Sequence, residues 1–252
     1  MLSVSQLSVS VADKTLLDID NFSMSSGEMV AILGRNGAGK STFFKAISGD
    51  VVSHGQRLLH EQSLAEWSGP SLARHLAVLP QASQLSFPFT AQEVAALGLI
   101  PLTINTRQGE RLVRDMLERT DTLRFAERPY TSLSGGERQR VHLARVLVQL
   151  AQAERPPLLL LDEPTSAQDL AQQHQILQLC KDLCTQQDYG VLVILHDLNL
   201  SLRYCDSVGL LESGKMDKLG RPSDVLTPDE IDRQWGYRPE RLVTASGNEV
   251  YV

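Results

Sequence analysis

Gly34-Arg35-Asn36-Gly37-Ala38-Gly39-Lys40-Ser41-Thr42 constrains this chain more than any other stretch. It follows the apolar run Met29-Val30-Ala31-Ile32-Leu33 and precedes Phe43-Phe44-Lys45-Ala46-Ile47, which can continue as a helix, so the order is strand, glycine loop, helix. The glycines let the backbone turn until successive N–H groups point inward at phosphate oxygens, and the helix adds its positive end. Lys40 is placed to reach the β and γ phosphates of a nucleoside triphosphate, and Ser41 to hold Mg²⁺. The loop leaves open what the energy is used for.

At 252 residues the chain can bury one large domain, or one domain with a helical insertion. A net charge of −6 argues against a broad basic face, so no nucleic-acid partner is expected. Cys180, Cys184 and Cys205 form an odd set without paired spacing, and Met1-Leu2-Ser3-Val4 resembles no charged leader, which together imply a reduced, cytosolic protein. The longest apolar runs, Leu158 to Leu161 and Val191 to Leu195, are strand-sized and well short of the roughly 18 residues a bilayer requires. The expectation is a protein that sits on a membrane partner without spanning the membrane itself.

Along the chain, Leu7, Val9 and Val11 alternate with Ser8 and Ser10, then Leu17 and Ile19 with Asp18 and Asp20, which predicts two half-buried antiparallel strands joined at Ala12-Asp13-Lys14. Ser53-His54-Gly55-Gln56 reads as turn chemistry, and Leu76 to Leu79 as a buried strand ending at Pro80-Gln81. Thr90-Ala91-Gln92-Glu93 has capping-box spacing, Arg111 to Leu123 repeats at helical intervals, and Ser134-Gly135-Gly136-Glu137 is a second Ser-x-x-Glu opening a helix. Strands alternating with helices predict a largely parallel α/β sheet: the core covers about 1–83 and 154–215, a helical subdomain about 84–153 and a C-terminal extension about 216–252. Val208 to Leu219 reads as a hairpin, and Thr227-Pro228-Asp229-Glu230 as a last capped helix.

Asp162 and Glu163 close a hydrophobic strand, where open α/β sheets place their chemistry. An Asp there can hold the Mg²⁺ that Ser41 also touches, and the adjacent Glu can polarise an attacking water. Leu133-Ser134-Gly135-Gly136-Glu137 supplies a second helix N-terminus suited to an anion, which has a purpose if it faces a nucleotide held by another subunit.

These residues resemble the ATP-binding cassette transporter ATPases over nearly the whole chain: the loop Gly34 to Thr42, then Gln81, the signature Leu133 to Glu137, Asp162-Glu163 and His196, in that order. The resemblance implies a P-loop NTPase core of RecA-like type with an N-terminal antiparallel β subdomain and a helical insertion. It implies a head-to-tail dimer with two ATPs at its interface, each gripped by the phosphate loop of one copy and by Ser134, Gly135 and Gly136 of the other. Glu163 is then the general base and His196 bonds the γ-phosphate, while Gln81 senses Mg²⁺ and relays closure to the helical insertion. Two positions depart from the family pattern. Val11 stands where an aromatic residue usually stacks on adenine, and Ser166-Ala167-Gln168-Asp169 has a glutamine where a leucine would pack.

His196-Asp197-Leu198-Asn199-Leu200, Arg203 to Asp206 and Gly220-Arg221-Pro222 look like the importers of iron chelates, haem and cobalamin. Leu79-Pro80-Gln81 with Phe87-Pro88-Phe89-Thr90 and Gly98-Leu99-Ile100-Pro101 is similar to bacterial haemin import ATPases. That likeness implies a peripheral subunit on the cytoplasmic face of the inner membrane, docked on transmembrane permease subunits and served indirectly by a periplasmic haem-binding protein. Phe87 and Phe89 are candidates for the permease contact or for packing under the insertion. Siderophore or cobalamin import stays open as cargo, as does a soluble ATPase of the family. A DNA-repair or ribosome-acting relative would need a coiled coil or tandem cassette, and a small-molecule kinase would leave the signature helix unexplained.

Overall fold

In the computed structural model, which describes residues 1–12, 14–81, 87–245, 247 and 249–252, the alternation at the start becomes an antiparallel pair, β1 (Leu2–Val11) and β2 (Lys14–Met24). Leu2, Val4, Leu7 and Val9 turn inward from β1, and Leu17, Ile19, Phe22 and Met24 from β2. Asp13 of the expected connection lies outside the described residues. Next come β3 (Met29–Leu33), buried throughout, and α1 (Lys40–Ser48). The segment expected as a turn at Ser53 to Gln56 instead enters β4 (His54–Leu59), which pairs with the free side of β1, and β5 (Gln62–Ser63) completes the sheet β2-β1-β4-β5. Gly55 explains the difference. Its φ is +102°, and a Cβ there would stand 2.1 Å from the Gln6 carbonyl oxygen, where the pairing with β1 shifts register between Ser5 and Ser8. The glycine marks a close approach inside a strand, not a chain reversal.

Residues Trp67–Leu179 form one compact unit; Met1–Glu66 and Cys180–Val252 form the other. In the first of these, α2 (Gly69–His75) leads into β6 (Leu76–Leu79). The expected subdomain boundary near residue 84 lies outside the described residues. α3 (Ala91–Ala96) carries both halves of its capping box: Thr90 Oγ1 accepts from the Glu93 N–H at 3.3 Å and Glu93 Oε2 from the Thr90 N–H at 2.7 Å. α4 (Thr106–Arg119) starts ahead of the expected Arg111 because Asn105 caps it, Oδ1 accepting from the Gln108 N–H at 3.0 Å. It also stops short of Leu123. α5 (Gly135–Leu150) begins at Ser134 with a second complete box. Val94, Tyr130, Leu133 and Val141 share one apolar cluster, with Phe89 packed against it. β7 (Leu158–Asp162) runs parallel to β6 with Leu161 opposite Leu79, and α6 (Leu170–Gln187) follows, its start capped by Asp169 Oδ1.

β8 (Gly190–Ile194) returns to the other unit, buried throughout and parallel to β3. After α7 (Leu198–Tyr204), β9 (Ser207–Glu212) flanks β3 in parallel on its second side, and β10 (Lys215–Gly220) closes the expected hairpin. Strands buried on both faces read as unbroken apolar runs, and each fully buried Leu, Ile or Val contributes about 1.5–3 kcal/mol. α8 (Pro222–Val225) and α9 (Pro228–Trp235) follow. Thr227 caps α9, but Glu230 does not complete the box: its carboxylate turns to Lys218 and Arg233. Two ion pairs outcompete one backbone N–H. β11 (Arg241–Val243) and β12 (Glu249–Tyr251) form a last hairpin. Among the described residues no helix is long and apolar enough to cross a membrane.

Candidate active site

The phosphate loop leaves β3 through Gly34, where a Cβ would stand 2.2 Å from the Leu211 carbonyl oxygen. Gly37 (φ +81°) and Gly39 (φ +105°) hold left-handed backbone, and Gly39, as N-cap of α1, brings no side chain to cap that helix. An uncapped helix start below a glycine-turned loop is a backbone donor set suited to phosphate, so the residues present fit a bound triphosphate. Lys40 is 7% exposed, and its Nζ donates to the carbonyls of Gly34 at 2.8 Å and Arg35 at 3.2 Å. Arg35, Asn36 and Gly37 are exposed, Ala38 is buried, and Ser41 and Thr42 sit half-buried in the first turn of α1. The turn between β9 and β10 braces the loop: the Gly214 N–H donates to the Ala38 carbonyl at 2.8 Å. Neither Leu211 nor Gly214 carries a sequence signal for this supporting role.

His196 belongs to the same unit. β3 and β8 are in parallel register with Ile32 opposite Ile194, so continuing the register sets exposed His196 level with Gly34 at the carboxyl ends of adjacent strands. Asp197 beside it caps α7, its Oδ1 accepting from the N–H groups of Asn199 and Leu200 at 2.7 and 3.0 Å.

The other unit repeats the arrangement. β6 and β7 put Leu79 opposite Leu161, and two residues further on Gln81 Nε2 donates to Glu163 Oε2 at 2.8 Å. Asp162 is 7% exposed at the end of β7, and Glu163 takes a left-handed backbone with φ 52°. A non-glycine residue in that region stores roughly 1–3 kcal/mol of strain, which surrounding bonds must hold in place. The Glu163 carbonyl accepts from Gln139 Nε2 at 2.9 Å and from Ser166 Oγ at 3.0 Å.

The signature helix starts in the same unit. Ser134 Oγ accepts from the Glu137 N–H at 3.3 Å while Glu137 Oε2 accepts from the Ser134 N–H at 2.7 Å, and that backbone bond holds the Glu137 carboxyl below its usual range. Ser134 and Gly135 are exposed and Gly136 is buried. The box uses the serine oxygen as an acceptor and leaves its hydroxyl hydrogen able to donate.

The other conspicuous residues have local roles. Phe89 packs into the apolar cluster of this unit, while Phe87 is 64% exposed. His142 is pushed down to about 4 by burial and hydrogen-bonds Tyr130. Cys180, Cys184 and Cys205 are buried and free, and burial pushes the Cys184 thiol up to about 12, so these are inert packing groups.

The ABC transporter family profile matches residues 17–166. The chain belongs to the ABC transporter family. Proteins of this family bind ATP, and the loop described above lies within the matched region. A Shewanella denitrificans relative named as the hemin import ATP-binding protein HmuV is 51% identical to this ABC cassette over 245 residues, 97% of this chain and 96% of the relative. A solved metal-chelate type ABC transporter in an inward-facing conformation shares the fold, with TM-score 0.81 and 24% identity over 100% of this chain and 97% of that one. A dimeric ATP-binding cassette in a post-hydrolysis state with ADP and phosphate bound matches with TM-score 0.77 and 25% identity, over 88% of this chain and 99% of that one.

Proposed function

We propose that this chain is the ATP-hydrolysing subunit of an importer that carries haemin across the bacterial inner membrane. The observation that supports this reading is two separate helix starts suited to phosphate in one chain: the uncapped start of α1 behind Lys40, and the exposed Ser134-Gly135 tip of α5. One nucleotide needs only one phosphate loop. The second tip faces the nucleotide held by another copy, in a head-to-tail pair.

In this reading Gly34 to Thr42 wrap the phosphates and Lys40 holds the β and γ oxygens. Ser134, Gly135 and Gly136 of the second copy, held by Glu137, close over the same phosphates. Mg²⁺, when bound, offsets phosphate charge; Ser41, Asp162 and Gln81 are its proposed ligands. Glu163 accepts the proton of the attacking water, and His196 donates to the γ-phosphate. Loss of that phosphate removes what both copies grip, so the pair opens and drives the permease. Exposed Phe87 lies against the permease on the cytoplasmic face.

The cargo assignment draws on the name of the Shewanella relative and on the sequence run around Phe87 to Pro101. Reconstituted in vesicles with its permease and periplasmic binding protein, the chain is expected to drive ATP-dependent accumulation of haemin, read by porphyrin absorbance inside the vesicle. Accumulation of a ferric siderophore or of cobalamin in its place moves the cargo; no accumulation of any of the three rejects the importer.

Val11 is 61% exposed at the end of β1. Val11→Tyr is expected to tighten ATP about fivefold by calorimetry, since an aromatic stack is worth roughly 1 kcal/mol. An unchanged affinity means that the end of β1 does not face adenine.

A further inference from the structure

Gln168, the polar residue standing where an apolar one would pack, is only 8% exposed, and its side-chain amide is fully engaged. Its Nε2 donates to the Gly136 carbonyl and to Gln139 Oε1, both at 3.0 Å, and its Oε1 accepts from Arg140 Nη1 at 2.7 Å. Gln139 passes the chain on, donating from Nε2 to the Glu163 carbonyl at 2.9 Å. Every donor and acceptor runs in one direction, from the guanidinium of Arg140 through two amides to the peptide that follows Glu163, so each bond polarises the next. The approach is tight enough to need glycine: a Cβ on Gly136 would stand 2.6 Å from the Ala167 carbonyl oxygen and 3.0 Å from Gln168 Oε1.

The far end of this chain of bonds is the strained residue. Glu163 holds φ 52° with its carbonyl pinned by Gln139 and Ser166. Left-handed backbone at a glutamate persists only where neighbours over-determine it. We infer that Gln168 is a positioning residue: through Gln139 it fixes the backbone of Glu163 and ties it to the start of α5, so that the water-activating carboxylate and the serine-glycine tip are held in one fixed geometry. This rests on the proposed role of Glu163 as general base.

The test is steady-state ATPase kinetics on the full chain, with melting temperature measured beside it. Gln168→Leu keeps the bulk and removes all three bonds. The expected kcat is about tenfold lower at saturating ATP, the loss of roughly one buried hydrogen bond from the transition state, with KM for ATP changed less than about twofold. Gln168→Glu covers the case in which the leucine variant does not fold. It keeps an acceptor for Arg140 but cannot donate to Gly136 or Gln139, so the same loss of kcat is expected. Gln139→Leu cuts the next link and should match it, with the double variant no worse than either single one. In a Glu163→Gln background Gln168→Leu should leave the residual rate unchanged, because its effect passes through the carboxylate. A lower melting temperature with unchanged kcat per folded molecule makes Gln168 a packing residue and overturns the inference, as does a full additional loss in the Glu163→Gln background. A parent protein whose ATPase survives Glu163→Gln removes the reading beneath it, and the inference falls with that reading.

Discussion

Glu163→Gln is expected to lower ATP turnover by about 10²- to 10⁴-fold while leaving ATP affinity intact. The substitution changes the proton chemistry and little else. An amide has the shape of the carboxylate, and its oxygen still accepts from Gln81 Nε2, which lies 2.8 Å from Glu163 Oε2. The backbone is held through the Glu163 carbonyl, by Gln139 and Ser166, and none of those bonds involves the side chain that changes. What the amide lacks is the capacity to take a proton from water at neutral pH. Phosphate contacts at Lys40 and in the glycine loop remain, so ATP should accumulate uncleaved and hold two copies together. Gel filtration with ATP and Mg²⁺ should show a dimer that persists in the variant and is transient in the parent. Turnover at the parental rate would assign the base to another residue.

Both capping boxes are legible in the sequence because the reciprocal bonds join positions three apart, Thr90 with Glu93 and Ser134 with Glu137, and need no tertiary information. The apolar runs of β3, β7 and β8 are legible because a strand covered on both faces is apolar along its length, with Asp162 entering only at the end of β7. Thr227 to Glu230 has the same spacing, yet Lys218 and Arg233 draw the glutamate away; Arg233 lies three positions on along the same helix, but Lys218, on the strand before it, carries no local signal. α2 at Gly69–His75 escapes because it is short and opens on Gly69-Pro70, a pair that reads equally well as a turn. The Gly55 signal is real but ambiguous, since close backbone approach and chain reversal both require glycine. Gln168 is the clearest case of information absent from local sequence. Its polarity reads as a mismatch until Arg140, Gln139 and Gly136, which lie 28, 29 and 32 positions away, are seen to converge on it.

Lys40→Ala is expected to raise the dissociation constant for ATP about a hundredfold or more. Nucleotide binding exchanges one set of Lys40 bonds for another. The Lys40 ammonium already has acceptors within the loop: it donates to the Gly34 and Arg35 carbonyls at 2.8 and 3.2 Å. Binding replaces neutral acceptors with charged phosphate oxygens, each such bond being worth roughly 1.5–3 kcal/mol against about 1 kcal/mol for the bond given up. Two exchanges leave a net gain of about 2.5 kcal/mol, close to two powers of ten in affinity. Lys40→Arg should recover little of it. The niche between two loop carbonyls, 7% exposed, takes a compact ammonium and not a planar fork. Fluorescent-nucleotide titration with circular dichroism on the same samples separates the two roles the residue could have. A lysine that only braces the loop would lower the melting temperature of Lys40→Ala and leave ATP affinity unchanged, whereas a phosphate ligand loses affinity in a protein that remains folded. The first pattern would remove the phosphate assignment of Gly34 to Thr42, and with it the reason to place ATP in this chain's loop.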